Sequence, residues 1–308
     1  MPLTQLNFQP GIDTENTATG AEGKWIDCDK VRFRKGLPQK IGGWIKFSQS
    51  YYVGVGRALE QWYALTGTRF EALGTDRKVY AYSAGTSQDI TPIRSTEALV
   101  NAISTTSSSA IVTITDTAHG AIQGDFVTLS SVSTDVGGIP AATLDAEYEI
   151  LSIANANAYT IESSATATST VGPTANCTVN YQLNIGPSIQ TFGYGWGAGT
   201  WSAGTWGTPR TTSQIILDAR LWSINNWGED LIITQKDGGT YEWDTSAGMT
   251  DNRATAIANA PTTSTSSLVS TETRHVICMG TETTIGTPTT QDKMFIRWSD
   301  QENYNQWT

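Results

Sequence analysis

Apolar and polar residues alternate from Cys177 to Leu183: Cys177, Val179, Tyr181 and Leu183 alternate with Thr178, Asn180 and Gln182. That period of two predicts a strand with one buried face. Shorter strand-like runs occur at Ile111–Ile114, Phe126–Leu129, Tyr148–Ile153 and Tyr159–Ile161. Turn-formers separate them at His119–Gly120, Gly124–Asp125, Gly137–Gly138 and Asn155–Asn157. Five short strands over residues 95–183 predict a small β-barrel or β-sandwich. The Ser/Thr-rich stretches Ser104–Ser109 and Ser163–Thr170 read as loops or edges.

On either side of this region one phrase recurs. Val79-Tyr80-Ala81-Tyr82-Ser83-Ala84-Gly85 follows an Asp76-Arg77-Lys78 turn, and Tyr241-Glu242-Trp243-Asp244-Thr245-Ser246-Ala247-Gly248 follows Asp237-Gly238-Gly239. Apolar strand candidates precede them at Ala72–Leu73 and Leu231–Ile233, and a looser copy, Met294–Asp300, follows Ile277-Cys278-Met279. Strand, turn, aromatic strand and small-residue turn make up a β-propeller blade, whose sheet must stack on its neighbours to bury both faces. A plain antiparallel meander gives the same pairs. The segment Arg57–Leu65 fits either two helical turns or a strand.

Charge sharpens the boundary. No Lys or Arg occurs between Arg94 and Arg210, while the interval holds Glu97, Asp116, Asp125, Asp135, Asp145, Glu147, Glu149 and Glu162. It therefore carries −8 of the formal net charge of −10. Tryptophan is likewise absent between Trp62 and Trp196, although the 308-residue chain has 11. A segment so unlike its flanks predicts an inserted acidic β domain at 95–183, between a first body part at 1–94 and its continuation at 184–308. Charged residues make up only 16% and glycines number 29, which favours strands and turns over helices. The fold expected is all-β: a β-propeller body, incomplete in this chain or closed with few blades, carrying an inserted small β-barrel or β-sandwich domain.

The negative balance argues against a broad basic nucleic-acid-binding face. No apolar run approaches the length of a membrane span, about 18 residues, and Met1–Ile12 lacks a secretion-signal pattern. Cys28, Cys177 and Cys278 form a poor disulfide framework and read as reduced thiols made in a cytoplasm. Candidate chemistry is thin. Two histidines, His119 and His275, leave zinc almost no ligands. Asp27 and Asp29, on a strand, would share a face and a divalent ion, but no third acid follows at a ligand spacing. Neither a phosphate loop nor a nucleophile elbow occurs. The pair of carboxylates that a glycosidase needs is abundant, with nothing to single one out. No catalytic residue, cofactor or metal site is expected, and the chain reads as a non-enzyme.

Two segments carry candidate contact residues. Phe192–Pro209 holds Trp196, then Ala-Gly-Thr-Trp twice, ending at Trp201 and Trp206. These tryptophans read as anchors that pin a loop to the core or as platforms for sugar or subunit contact. Lys24–Lys46 interleaves Lys24, Lys30, Arg32, Arg34, Lys35, Lys40 and Lys46 with Trp25, Phe33 and Trp44. Such a mixture grips phosphates and stacks bases, yet Glu22, Asp27 and Asp29 dilute it, and Val31–Arg34 reads as a strand with one solvated face.

The phrases Phe8-Gln9-Pro10-Gly11-Ile12-Asp13, Gly23-Lys24-Trp25-Ile26-Asp27 and Val31 to Trp44 resemble the start of tail proteins of short-tailed bacteriophages. These are the nozzle or "tail tubular B"-type proteins, related in role to packaged-DNA stabilisation proteins. Leu217–Trp222, Asn226–Leu231, Arg297–Asp300 and Asn303-Tyr304 fit as well, so the resemblance covers about 1–60 and 186–308. The insert is similar to small β modules of phage structural proteins. The resemblance implies a virion tail protein with a propeller body and a homo-oligomeric ring, hexameric in the family. It also implies adaptor and tail fibre proteins as neighbours, and double-stranded DNA passing through without sequence-specific binding. Carboxylates would then face the channel and repel DNA, where a cationic wall would brake it. The other reading is a propeller tail protein that binds carbohydrate or receptor through Trp196, Trp201 and Trp206.

Overall fold

A computed structural model of the chain describes residues 9–43, 45–46, 48, 50–190, 218–250 and 252–307. The chain divides into two compact units, Met1–Phe47 and Ser48–Thr308. In the first, β1 (Val31–Arg34) and β2 (Leu37–Lys40) form an antiparallel hairpin. Its two-residue turn, Lys35-Gly36, has φ of 51° and 81°, and positive φ at both positions matches the twist of the strands it joins.

The second unit is all-β and built from several antiparallel sheets. Its first meander pairs β3 (Gly56–Tyr63), β4 (Arg69–Thr75), β5 (Val79–Ser83) and β6 (Thr86–Asp89) in chain order. Arg57–Leu65 thus resolves as a strand. Ala58, Glu60 and Trp62 turn inward, while Leu59, Gln61 and Tyr63 are exposed.

The chain then enters an eight-stranded sheet. Its elements are β7 (Ile93–Leu99), β8 (Ile103–Thr105), β9 (Ile111–Thr115), β10 (Phe126–Ser130) and the one-turn helix α1 (Ala141–Leu144). They continue with β11 (Glu147–Asn155), β12 (Ala158–Glu162), β13 (Val171–Thr174) and β14 (Cys177–Gln182), and the spatial order is β13-β8-β9-β12-β11-β10-β14-β7. The five strands expected from alternation are present. The three that alternation misses are β7, which lacks a clean period, β8, which is three residues long, and β13. The last contains Gly172-Pro173 and lies at the edge, where a missing N–H breaks no ladder. Register shifts at Ile150/Ser152 and Ile153/Asn155 bend β11 between its two partners. The sheet curls far enough that Tyr159 on β12 and Tyr181 on β14, three strands apart, meet with ring centroids at 6.0 Å.

Two further meanders follow. One is β15 (Trp222–Trp227), β16 (Asp230–Gln235), β17 (Thr240–Trp243) and β18 (Thr255–Ala256); the other is β19 (Ser266–Val269), β20 (Val276–Met279), β21 (Ile296–Asp300) and β22 (Asn303–Trp307). The second meander lies between the first and the third. Trp62, Phe70 and Ala72 of the first share a core with Trp222, Ile224, Leu231, Ile233 and Trp243 of the second. Trp227 and Ile232, on its other side, share one with Val276 and Cys278 of the third. Strand β16 is therefore buried on both faces, which explains its unbroken apolar run in place of alternation. The first joint is close. A Cβ at Gly74 would lie 2.7 Å from the Trp222 ring, and Trp222 Nε1 donates to the Thr75 carbonyl. No helix among the described residues is long and apolar enough to cross a membrane.

Candidate functional site

The strongest electrostatic feature lies where the eight-stranded sheet meets the meanders. The β4–β5 turn places Lys78 there, its side chain only 4% exposed. Its ammonium donates to Asp89 Oδ2 at 2.8 Å and to Glu147 Oε1, and sits 4.1 Å from the centre of the Phe126 ring. Arg253, from the loop after β17, pairs with Asp89 at 3.0 Å and with Glu147 at 3.3 Å. Gln182 at the end of β14 donates to the same Glu147 carboxylate. Two cations and two anions alternate, so the buried Lys78 ammonium has carboxylates for neighbours, as low-dielectric surroundings require. Burial alone would raise the Asp89 pKa, but Lys78 and Arg253 outweigh it and hold the carboxyl below its ordinary value.

Around this network the joint continues. Arg77 pairs with Glu149 at 2.9 Å. Arg94 lies over the Tyr181 ring and donates to the His119 carbonyl. Arg220 donates to the carbonyls of Asn184 and Ile185. Asp125 accepts from the Ile122 and Ile185 amides, yet burial still pushes its pKa up.

The acids of the cation-free segment are thus mostly engaged. Glu147 and Glu149 pair with meander cations, and Asp125 binds backbone amides. Asp116 accepts from Tyr181, which also meets the Tyr159 hydroxyl at 3.1 Å. Asp135 and Asp145 accept from the Ala141 and Val132 amides. Glu97 and Glu162 are exposed. This joint escapes motif reading because its members come from segments far apart in the chain. A usable signal exists nonetheless: a segment with acids and no cations, bounded by Arg77, Lys78 and Arg94, needs its counter-charges at its borders.

The residues singled out in sequence fall elsewhere. Arg32 and Arg34 share the solvated face of β1, opposite the half-buried Val31 and Phe33, and Arg32 Nε donates to Gln39. Trp25 bridges to Ile12 and lies against Phe33 at 6.3 Å. Lys24 pairs with Asp13 at 2.7 Å. The first unit thus sets Trp25 against Phe33, on the face of the hairpin opposite Arg32 and Arg34. Trp44, Trp196, Trp201 and Trp206 lie outside the described residues. Asp27 and Asp29 are exposed and outside any strand, so the geometry supposed for a shared ion does not occur. Among the described residues no group of three His, Cys, Asp or Glu is placed to hold a metal ion. His119 Nδ1 accepts from the Ala121 amide, which leaves Nε2 to donate to the Asn155 carbonyl; His275 Nδ1 meets the Ser299 carbonyl. Both rings are held in turns or at strand ends.

No protein-family model matches the sequence, and no curated protein matches it. Among solved structures, the "Phage phi92 endosialidase" is similar over 81% of this chain and 37% of its own, at 11% identity and a TM-score of 0.25. The chain thus spans little more than a third of that protein's length.

Proposed function

We propose that the chain is a structural subunit of a bacteriophage tail, of the nozzle type that its N-terminal phrases resemble. Its meanders are then successive blades of a propeller body, residues 1–94 and 184–308, and 95–183 is a decorating β domain. Copies form a ring, six by the resemblance, in the tail of the virion, beside adaptor and tail fibre proteins. Double-stranded DNA passes through during ejection without sequence-specific contact, and the chain performs no catalysis.

The observation that carries this reading is the arrangement of the second unit. Three consecutive four-stranded meanders stack through shared cores, and an acidic sheet is fastened to them by paired charges. The net charge of −10 gives duplex phosphates little to adhere to. Electron microscopy of the purified full chain tests the reading. Closed rings with a central channel are expected, together with no retardation of duplex DNA at about 0.15 M salt, where only nonspecific contacts would act. Particles without a channel, or tight duplex binding at that salt, would contradict it.

A further inference from the structure

The first unit uses its cations differently from the second. In the second, Arg69, Arg77, Lys78, Lys236, Arg253 and Lys293 each pair with a carboxylate. In the first, Lys24 pairs with Asp13 and Lys30 with Asp29. The segment Lys30 to Lys40 holds five cations and no acid. Of these, Arg32, Arg34, Lys35 and Lys40 form no ion pair among the described residues. Glu22, Asp27 and Asp29 dilute this charge in sequence, but none of them neutralises a cation of the hairpin itself.

The antiparallel register sorts these cations by face. Arg32 stands opposite Gln39 and Arg34 opposite Leu37, so the four share the solvated face. Lys35 adds a third cation at the turn. Lys40 stands opposite Val31, on the other face, where Phe33 meets Trp25. Two positions along a strand set Arg32 and Arg34 about 7 Å apart. Arg32 Nε donates to Gln39 Oε1 at 3.1 Å, which orients the guanidinium and leaves its two Nη groups for a ligand.

That face offers cations in a row, no aromatic ring and little area. A nucleic-acid strand presents its phosphate oxygens in such a row, and guanidinium groups bind them with paired N–H donors. A surface that stacks single-stranded bases carries its rings beside its cations, whereas here the rings lie behind them. A membrane-surface element also needs its aromatic side chains on the side it inserts. A stable protein contact takes about 800 Å² from each partner, more than one face of a short hairpin supplies.

We propose that the Arg32, Arg34 and Lys35 face is a sequence-independent binding site for the phosphate backbone of nucleic acid. Three contacts give log affinity for duplex DNA a slope of about −2.7 against log salt. Affinity then falls about 200-fold between about 0.02 and 0.15 M salt. The site goes beyond the conduit reading without opposing it, because that reading excludes only tight duplex binding at about 0.15 M salt.

The test titrates the full chain against a labelled duplex of about ten base pairs, one helical turn, and follows fluorescence anisotropy across that salt range. Wild type is expected to bind at about 0.02 M salt whatever the base sequence. Arg32→Gln/Arg34→Gln should cut the slope to about a third, and Arg32→Lys/Arg34→Lys should retain it. Lys40→Gln, on the opposite face, should leave the slope unchanged. These side chains are all exposed, so circular dichroism should match wild type. Arg34→Gln/Lys35→Gln replaces the first pair should that pair misfold. No duplex binding at about 0.02 M salt, a slope indifferent to both arginines, or an equal loss in Lys40→Gln would overturn the proposal and leave the conduit reading standing. Binding of phosphatidylserine vesicles or of polyglutamate, with duplex left free, would indicate a membrane or an acidic protein and overturn it as well. Tight duplex binding that persists at about 0.15 M salt and needs both arginines would support the site and contradict the conduit reading.

Discussion

Tyr159 and Trp243 are both fully buried, but the surfaces that bury them have different origins. Tyr159 sits in a core whose members, from Ala102 to Tyr181, all belong to the eight-stranded sheet and its loops. Trp243 sits against Trp62 and Phe70 of another meander, with ring centroids 6.2 and 5.9 Å away. One region closes its core alone; the others close theirs only on each other. The difference explains why tryptophan is absent from the acidic segment and frequent outside it. A large flat ring serves best where two sheets must be joined, and a curled sheet fills its interior with Ile, Val and Tyr. It also accords with the charge boundary, since a sheet with its own core meets the meanders through ion pairs such as Arg77–Glu149 and Lys78–Glu147.

The largest effect should come from the shared core. Trp243→Ala is expected to lower the stability of the meanders by about 3–5 kcal/mol, as for other buried aromatic truncations, read from denaturant unfolding followed by tryptophan fluorescence. Next, Lys78→Met should cost about 2–3 kcal/mol. That is below the loss for a wholly buried pair because Asp89 and Glu147 keep Arg253 and some solvent. Combining it with Glu147→Gln should cost less than the two single losses added, which a double-mutant cycle detects. Gly74→Ala should cost about 1–3 kcal/mol by pressing a methyl on Trp222, while leaving the exchange protection of the acidic sheet unchanged.

Acid titration gives a smaller and signed effect. Asp89 has a folded pKa below its ordinary 3.8. Its ionised form therefore stabilises the protein fully above that unfolded value, and the contribution is lost as pH falls through the folded one. Asp125, raised by burial, acts in the opposite sense: protonation as pH falls relieves a cost. Asp89→Asn should thus flatten the loss of stability below about pH 4, and a limb as steep as wild type would contradict the pairing. The smallest effect is chemical. Burial raises the Cys177 and Cys278 thiols to about 11, so at pH 8 both stay neutral as well as enclosed. A thiol reagent should label one cysteine per native chain, the half-buried Cys28, and all three after unfolding.

Period-two alternation located β1, β9, β10, β12 and β14 closely, because each of these strands has one solvated or half-solvated face. It could not order them, since the pairing of β14 with β7 joins residues 78 to 89 apart and nothing local encodes it. The recurring aromatic phrase marked β5 and β17 because each places aromatic side chains on one face of its meander. The site was less legible. Lys78, Asp89, Glu147 and Arg253 are ordinary surface types in sequence, and only folding brings them together.

Hydrogen exchange on the full-length Trp243→Ala chain probes the division most directly. The account predicts that amides of β3–β5 and β15–β17 lose protection while those of β9, β10, β12 and β14 keep theirs. Equal loss of protection in both regions would show that the acidic sheet depends on the meanders for its core, and would contradict the account.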